Sequence, residues 1–136
     1  MRRFPVLALA LVLPVLGCNV DGGGSDPFQQ LTHEQALAKA RSEKKVVMID
    51  FYSDTCPPCK QLDVETFTDR RVRTFLQERT VALRLRIEDN QQLARMYRIA
   101  FLPCLVFVSG EGEEVGRMLG FEPPEEFLAK ARKIVN

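Results

Sequence analysis

The 136-residue chain contains no tryptophan, a single histidine and no apolar run long enough to cross a bilayer. Its formal net charge is +1 and it has no basic run, so the charge pattern gives no support for nucleic-acid binding. The one histidine, His33, stands at a predicted helix start, far in sequence from the paired cysteines, and we expect it to be exposed. The four cysteines are therefore the residues whose spacing most needs an explanation.

Length and composition predict one small globular domain. The chain is too short for two domains of ordinary size. Hydrophobic residues make up 46% and charged residues 27%, an ordinary globular balance, and no segment repeats another.

The N-terminus has the features of an export signal. A basic start with Arg2 and Arg3 precedes an apolar stretch at residues 6–16 and the small residue Gly17. The sequence Val15-Leu16-Gly17-Cys18 resembles a bacterial lipobox, which implies that residues 1–17 are a signal peptide and that Cys18 carries lipid. Ordinary cleavage nearby, with Cys18 left as a spare thiol, is the alternative.

A flexible tether is predicted after the lipidated cysteine. Residues 19–27 read NVDGGGSDP, a composition that buries too little apolar surface to become ordered. We therefore expect residues 18–30 to link the lipid to a folded domain at 31–136. Several acyl chains make a stable anchor. Asn19 stands where inner-membrane retention in Gram-negative bacteria uses aspartate, which favours the outer membrane.

The remaining cysteines are odd in number. With Cys18 assigned to lipid, Cys56, Cys59 and Cys104 remain, so one thiol is left unpaired or reactive. The CPPC sequence suits a redox couple, half of a metal site or two buried thiols. In an oxidising compartment Cys56 and Cys59 should form a disulfide. Because so short a loop adds little stability, such a bridge is expected to be made and broken.

Hydrophobic periodicity predicts helices and strands in the order α, β, α in two pieces, β, α, β, β, α. Residues 46–52 are nearly all apolar, as in a strand buried on both faces, and residues 81–87 alternate with period two. Apolar spacing predicts a helix from Cys59 to about Phe67 and a second one capped by Thr68 or Asp69. This order predicts a small mixed sheet with a right-handed parallel crossover and helices on both faces.

The position of the cysteines favours thiol exchange. Cys56 stands at a predicted helix N-terminus, where exposed N–H groups favour a thiolate, and Cys59 lies one turn inside. Cys56 would attack a substrate disulfide and Cys59 would resolve the mixed disulfide. Pro57 and Pro58 restrict the backbone but offer no N–H to the sulfur. We therefore predict for Cys56 a moderately lowered pKa near ~7.

The segment VVMIDFYSDTCPPCKQL, with Phe101-Leu102-Pro103 and Gly120, resembles the thioredoxin superfamily. Within it, the sequence is similar to the C-terminal periplasmic domain of transmembrane thiol:disulfide interchange proteins and to thioredoxin-like lipoproteins. The resemblance covers residues 31–135. It implies an α/β, thioredoxin-like fold with a central mixed sheet of four to five strands flanked by helices, and thiol:disulfide oxidoreductase activity without a cofactor.

The resemblance also implies roles for single residues. Asp50 matches the buried acid that accepts the proton of Cys59, and Pro103 matches the cis-proline that faces the disulfide and leaves backbone free for substrate. The alternatives are an ordinary strand-end carboxylate and a trans edge proline. Lys60 either adds positive electrostatic potential at the cysteine pair or is an ordinary solvated side chain. Arg84 either lies near the buried acid, where relatives often have lysine, or is solvated on the strand's polar face.

Two positions depart from the family pattern. Thr55 stands where tryptophan is usual, so the apolar cover beside the nucleophile is missing and thioredoxin's substrate range is in doubt. Cys104 follows Pro103, where threonine is common. Cys104 is either a small core residue or a third sulfur near the pair, able to serve as an alternative disulfide partner or as a ligand for Cu(I) or Zn.

The sequence therefore predicts a monomeric, membrane-tethered oxidoreductase of the bacterial cell envelope, periplasmic and acting as a reductant. Its expected partners are exported proteins with thiols or disulfides and a membrane electron donor. The alternative is a thiolate metal carrier using Cys56, Cys59 and Cys104, although four-ligand zinc sites need a further ligand. A non-enzymatic interaction module is disfavoured because it would not need the CPPC pair.

Overall fold

The computed structural model describes residues 25–136. The predicted signal peptide, the predicted lipidation site at Cys18 and most of the predicted tether lie outside these residues. Within 25–136, every helix is too short or too polar to span a bilayer.

The elements follow the predicted order, with four strands and five α-helices in residues 25–136. They are α1 (His33–Glu43), β1 (Val46–Tyr52), α2 (Pro57–Gln61), a π-helical turn (Leu62–Thr66), α3 (Arg70–Arg79), β2 (Thr80–Arg86), α4 (Gln91–Met96), β3 (Cys104–Val108), β4 (Glu114–Leu119) and α5 (Pro124–Val135).

The four strands form one mixed sheet in the order β2-β1-β3-β4. β1 and β2 are parallel, with Asp50 opposite Arg84, while β3 is antiparallel to both β1 and β4. Phe51 of β1 lies opposite Cys104 of β3. The C-terminal end of β1 and the N-terminal end of β3 therefore meet at the same edge of the sheet. The predicted α/β fold with a mixed sheet is confirmed.

Alternation along β1 builds a core on each side of the sheet. Met48 packs in one apolar cluster with Leu62 and side chains of α3 and α5. Val47, Ile49 and Phe51 point the other way and pack with α1 and α4. Both faces are covered, which is why the strand is almost continuously apolar. The same alternation directs Asp50 to the face of Met48 and Leu62.

The helix that starts at the CPPC sequence changes from α-helical to π-helical hydrogen bonding. The predicted single helix from Cys59 to Phe67 is corrected: α2 ends at Gln61 and a π-helical turn follows, with the Phe67 N–H donating to the Leu62 carbonyl at 2.8 Å. The buried Thr66 hydroxyl donates to the Glu122 carbonyl at 2.5 Å. Tertiary contacts thus override the helical periodicity here. Asp69 caps α3, as predicted.

The predicted tether ends earlier than expected. Pro27 is buried, Phe28 forms a parallel bridge to Ala82 of β2, and the Gln29 N–H donates to the Ala82 carbonyl at 2.8 Å. The Phe28 ring packs edge-on against Phe67 with centroids 5.0 Å apart. Because Phe28 buries apolar surface against the core, the folded domain begins a few residues before the predicted boundary at 31.

Candidate active site

Cys56 and Cys59 form a disulfide at the beginning of α2, with their Cα atoms 5.3 Å apart. Cys56 is the N-cap residue, and the prolines occupy the first two helical positions. The first N–H that can reach the sulfur is therefore that of Cys59, and it donates to Cys56 Sγ at 3.3 Å. Proline is favourable at this end of a helix because its missing N–H has no partner there in any case.

The two cysteines differ in burial. Cys59 is 2% exposed, whereas Cys56 is partly exposed. An incoming disulfide can therefore reach Cys56 and not Cys59. The attacking role of Cys56 and the resolving role of Cys59 stay predictions.

Asp50 is buried at 1% exposure on the face of β1 that α2 and the π-helical turn cover. Burial raises the pKa of its carboxyl to about 7, the cationic Arg84 opposes this rise, and the negative Asp63 adds to it. Its Oδ1 atom has no hydrogen-bond partner. A carboxyl with such a pKa can take up and release a proton near neutral pH.

Arg84 connects Asp50 to a second carboxylate. Its Nε lies 3.3 Å from Asp50 Oδ2, and its Nη2 lies 2.5 Å from Asp63 Oδ1. The guanidinium also stacks over Tyr52, 4.4 Å from the ring centroid, and lies 5.6 Å from that of Phe28. Of the two predicted alternatives for Arg84, the structure shows the one beside the buried acid.

Sequence reasoning missed Asp63 as a member of this network. Asp63 lies four residues after Cys59, one helical turn along, and that spacing could have identified it. Tyr52 and Phe28 carry no comparable signal, since aromatic residues next to a strand are usually part of the core.

Pro103 lies at the same edge of the sheet as the disulfide. The Leu102–Pro103 peptide bond is cis, and the Pro103 carbonyl accepts from the Gly120 N–H at 2.9 Å. Because Cys104 pairs with Phe51, the loop before β3 and the loop from β1 to Cys56 are neighbours.

Cys104 is fully buried, and burial raises the pKa of its thiol. It packs with Val106 and Val108 in the apolar cluster on the α1 and α4 side, whereas Leu62, one turn beyond Cys59, belongs to the other cluster. These are the surroundings of a core thiol. In residues 25–136, no three His, Cys, Asp or Glu side chains are grouped closely enough to hold a metal ion.

The residue at the position where the thioredoxin superfamily usually has tryptophan is polar in this chain. Thr55 is exposed, and its Oγ1 lies 3.3 Å from Ser53 Oγ, which donates to Glu88 Oε1 at 2.5 Å. Lys60 is exposed one residue beyond the disulfide. The flank of Cys56 on this side therefore offers hydroxyl groups and charge instead of apolar surface.

His33 lies away from this site. The expectation that it is exposed is corrected, because it is partly buried and its Nε2 lies 2.6 Å from the Tyr97 hydroxyl. Burial lowers the pKa of His33, in spite of an opposing effect of Glu34. Tyr97 lies 64 residues after His33, so spacing along the chain does not reveal this contact.

Comparisons with known proteins agree with this geometry. The family model of the thioredoxin-like domain matches residues 33–134. The chain is 30% identical over 159 residues to the thiol:disulfide interchange protein DsbD of Ralstonia nicotianae, covering 94% of this chain and 26% of that protein. It thus spans about a quarter of this curated relative.

Comparison with solved structures also finds thioredoxin-like proteins. A thioredoxin from Thermus thermophilus is 36% identical, with a TM-score of 0.67 over 75% of this chain and 82% of that one. The oxidised C-terminal domain of Neisseria meningitidis DsbD shares the fold at 22% identity, with a TM-score of 0.61 over 72% of this chain and 89% of that one. The chain therefore belongs to the thioredoxin-like domain family, and it is similar in sequence to part of the thiol:disulfide interchange proteins.

Proposed function

We propose that this protein reduces disulfides in exported proteins at the surface of a bacterial membrane. In this proposal it is anchored by lipid on Cys18 and is kept reduced by a membrane electron donor. The observation that carries the proposal is the partly exposed Cys56 at the start of α2, in a domain that also holds a buried carboxyl at Asp50.

The first step is attack by Cys56. Its thiolate, stabilised by the Cys59 N–H and the positive end of α2, attacks one sulfur of a substrate disulfide. A bond forms between Cys56 and that sulfur, and the substrate S–S bond breaks. The second substrate sulfur leaves as a thiolate and takes up a proton from solvent.

The second step is resolution by Cys59. Asp50 accepts the thiol proton of Cys59, for which a carboxyl with a pKa of about 7 is well matched. The Cys59 thiolate attacks Cys56 and displaces the bound substrate sulfur as a thiolate. The protein is left with the Cys56–Cys59 disulfide, and the substrate has gained two electrons. A membrane dithiol would then return the protein to its reduced form.

The direction of electron flow is supported by the sequence between the cysteines. Pro57 and Pro58 leave only the Cys59 N–H to stabilise a Cys56 thiolate, so the reduced form is not strongly stabilised. Equilibration of the protein with redox buffers of known potential tests this. We expect a potential closer to the ~−270 mV of thioredoxin than to the ~−120 mV of a strong oxidant. A value near the oxidant end would contradict the proposed direction.

The envelope location is supported by the export signal, by Cys18 and by the names of the curated relatives. Cell fractionation tests it. The parent protein should be found with membranes, in the outer-membrane fraction of a Gram-negative host, and Cys18→Ser should release it into the soluble envelope fraction. Parent protein that is already soluble would rule out the lipid anchor.

A further inference from the structure

Phe101 is the most exposed of the large apolar side chains in residues 25–136, at 71%. It lies two residues before Pro103, in the loop that enters β3. Because Cys104 pairs with Phe51 and β1 continues towards Cys56, Phe101 stands at the edge of the sheet that carries the disulfide. It therefore places an aromatic ring next to a site whose other flank, at Thr55, is polar.

A groove of about 540 Å³ is lined in part by Ala100, the residue before Phe101. Its apolar lining includes Ile87, Ile99 and Ala100. The Ile87 N–H donates to the carbonyl of Tyr52, the last residue of β1, at 2.9 Å. The groove therefore runs from the end of the strand that leads to Cys56 to the loop that contains Phe101.

Two arginines, Arg95 and Arg98, also line the groove, and both are exposed. In the described part of the chain neither forms an ion pair, whereas Arg84, Arg86 and Arg117 all do. The paired arginines have their charge compensated inside the domain. The positive charges of Arg95 and Arg98 therefore remain available to pair with a binding partner.

Arg98 follows the end of α4 in the left-handed conformation common at helix C-termini, and the Ile99 N–H donates to the Ala94 carbonyl at 2.8 Å. Arg98 has a φ of 51°, in the left-handed region that favours glycine. An arginine is less stable than glycine in this conformation. The nearby Glu114, which lines the adjacent cavity with Arg98, is held by Arg117 at 2.6 Å. Arg98 is thus left without a carboxylate partner in residues 25–136.

We propose that this groove binds the cysteine-flanking segment of an oxidised exported protein, with an apolar residue against Phe101 and an acidic residue at Arg95 and Arg98. This rests on the proposed reductase function and adds a substrate preference to it. The groove supplies an apolar contact that Thr55 cannot offer. Its two uncompensated cations select acidic segments by charge complementarity and speed their encounter with the site.

The test uses two chromogenic peptides and a small neutral disulfide. The cysteine of each peptide forms a mixed disulfide with an aromatic thiol. An apolar residue stands next to this cysteine. The residue that follows the apolar one is glutamate in one peptide and lysine in the other. Bis(2-hydroxyethyl) disulfide reports the reactivity of Cys56 without contacts to the groove. With the reduced parent protein in excess over each peptide, so that one equivalent of protein dithiol supplies the two electrons, we expect the second-order rate constant to be about tenfold higher for the acidic peptide, with the preference falling as salt is added.

Three variants separate recognition from folding. Arg95→Gln with Arg98→Gly should bring the ratio of the two peptides close to one, and Arg98→Gly should at the same time raise the melting temperature because glycine suits the backbone there. Phe101→Ser should slow both peptides about tenfold. The controls are Arg70→Gln on α3 and Val115→Ser on β4, which remove an exposed cation and an exposed apolar side chain elsewhere; both should match the parent. All variants should react with the small disulfide at the parental rate.

The outcomes are distinct. If the parent reduces the small disulfide but shows no preference between the peptides, or if the groove variants keep the parental preference and rates, the proposed groove is wrong and the reductase function stands. If the parent reduces neither the peptides nor the small disulfide, the reductase function fails and the groove proposal fails with it.

Discussion

The Nε atom of Arg84 lies 3.3 Å from Oδ2 of Asp50, and the two residues are direct neighbours in the parallel register of β1 and β2. The arginine is shared, because its other end contacts Asp63 at 2.5 Å and its flat face lies over Tyr52. Asp50 therefore shares the positive charge of Arg84 with Asp63. Burial exceeds this attraction, and the pKa of the carboxyl rises to about 7.

Asp50→Asn should stabilise the protein in a pH-dependent way. The folded pKa of about 7 is above the unfolded value of 3.8, so the folded state binds the proton more tightly. The parent therefore loses stability as the pH rises from about 4 to about 7, and the penalty is complete above that. At pH 8 the variant should be more stable by about 2–4 kcal/mol, and at pH 4 by close to nothing. Urea denaturation across this pH range measures the difference; a constant difference would contradict the raised pKa.

The same variant should slow the resolving step. Without the carboxylate, the proton of Cys59 loses its proposed acceptor, and we expect the rate of the resolving step to decrease by about 10²-fold. Rapid mixing with substrate, acid quenching and mass spectrometry should then show the Cys56 mixed disulfide accumulating. Asp54→Asn is the matched control, because it removes an exposed carboxylate two residues after β1. Its resolving step should match that of the parent. Equal rates in Asp50→Asn would remove the proposed role of Asp50.

Arg84→Gln should raise the pKa of Asp50 further. The arginine lowers this pKa in the parent, and its loss leaves both burial and Asp63 acting in the opposite direction. Carboxyl titration by isotope-edited infrared spectroscopy or NMR measures the shift, and the pH profile of the resolving step should move to higher pH with it. Arg86→Gln, on the same strand and paired with Asp54, is the control and should leave the Asp50 titration unchanged. An unchanged titration in Arg84→Gln would show that the ion pair is weak in solution.

Cys104→Ala should leave disulfide reduction intact. The thiol is fully buried among valines and is a core group by its contacts, so its loss should cost about 1 kcal/mol of unfolding free energy. Chemical denaturation measures this cost, and reduction of a small disulfide measures activity. Metal analysis of the reduced, anaerobically purified parent should find no stoichiometric metal. Bound metal that is lost in Cys104→Ala would instead revive the metal-carrier alternative.

Local patterns were enough to predict most of the fold. The order of elements followed from apolar periodicity, since β1 is apolar except for Asp50 and its terminal Tyr52, and β2 alternates. The spacing of Thr32 and Gln35 is that of a capping box, and the structure contains this capping box at the start of α1. These features depend on interactions between residues a few positions apart, and the spacing of residues in the sequence is enough to predict such interactions. The π-helical turn was missed because a buried hydrogen bond from Thr66 to Glu122 lies far along the chain.

The sequence by itself determined the chemistry: two cysteines at a helix start, with prolines between them, an acid in the preceding strand and a proline before a later one. Only the tertiary structure decided how these groups are surrounded. Strand register placed Arg84 beside Asp50, the sheet put Cys104 in the apolar cluster on the α1 and α4 side, and helix packing joined His33 to Tyr97. The physical reason is that burial and ion pairing depend on distances between segments remote in the chain, which residue spacing does not specify.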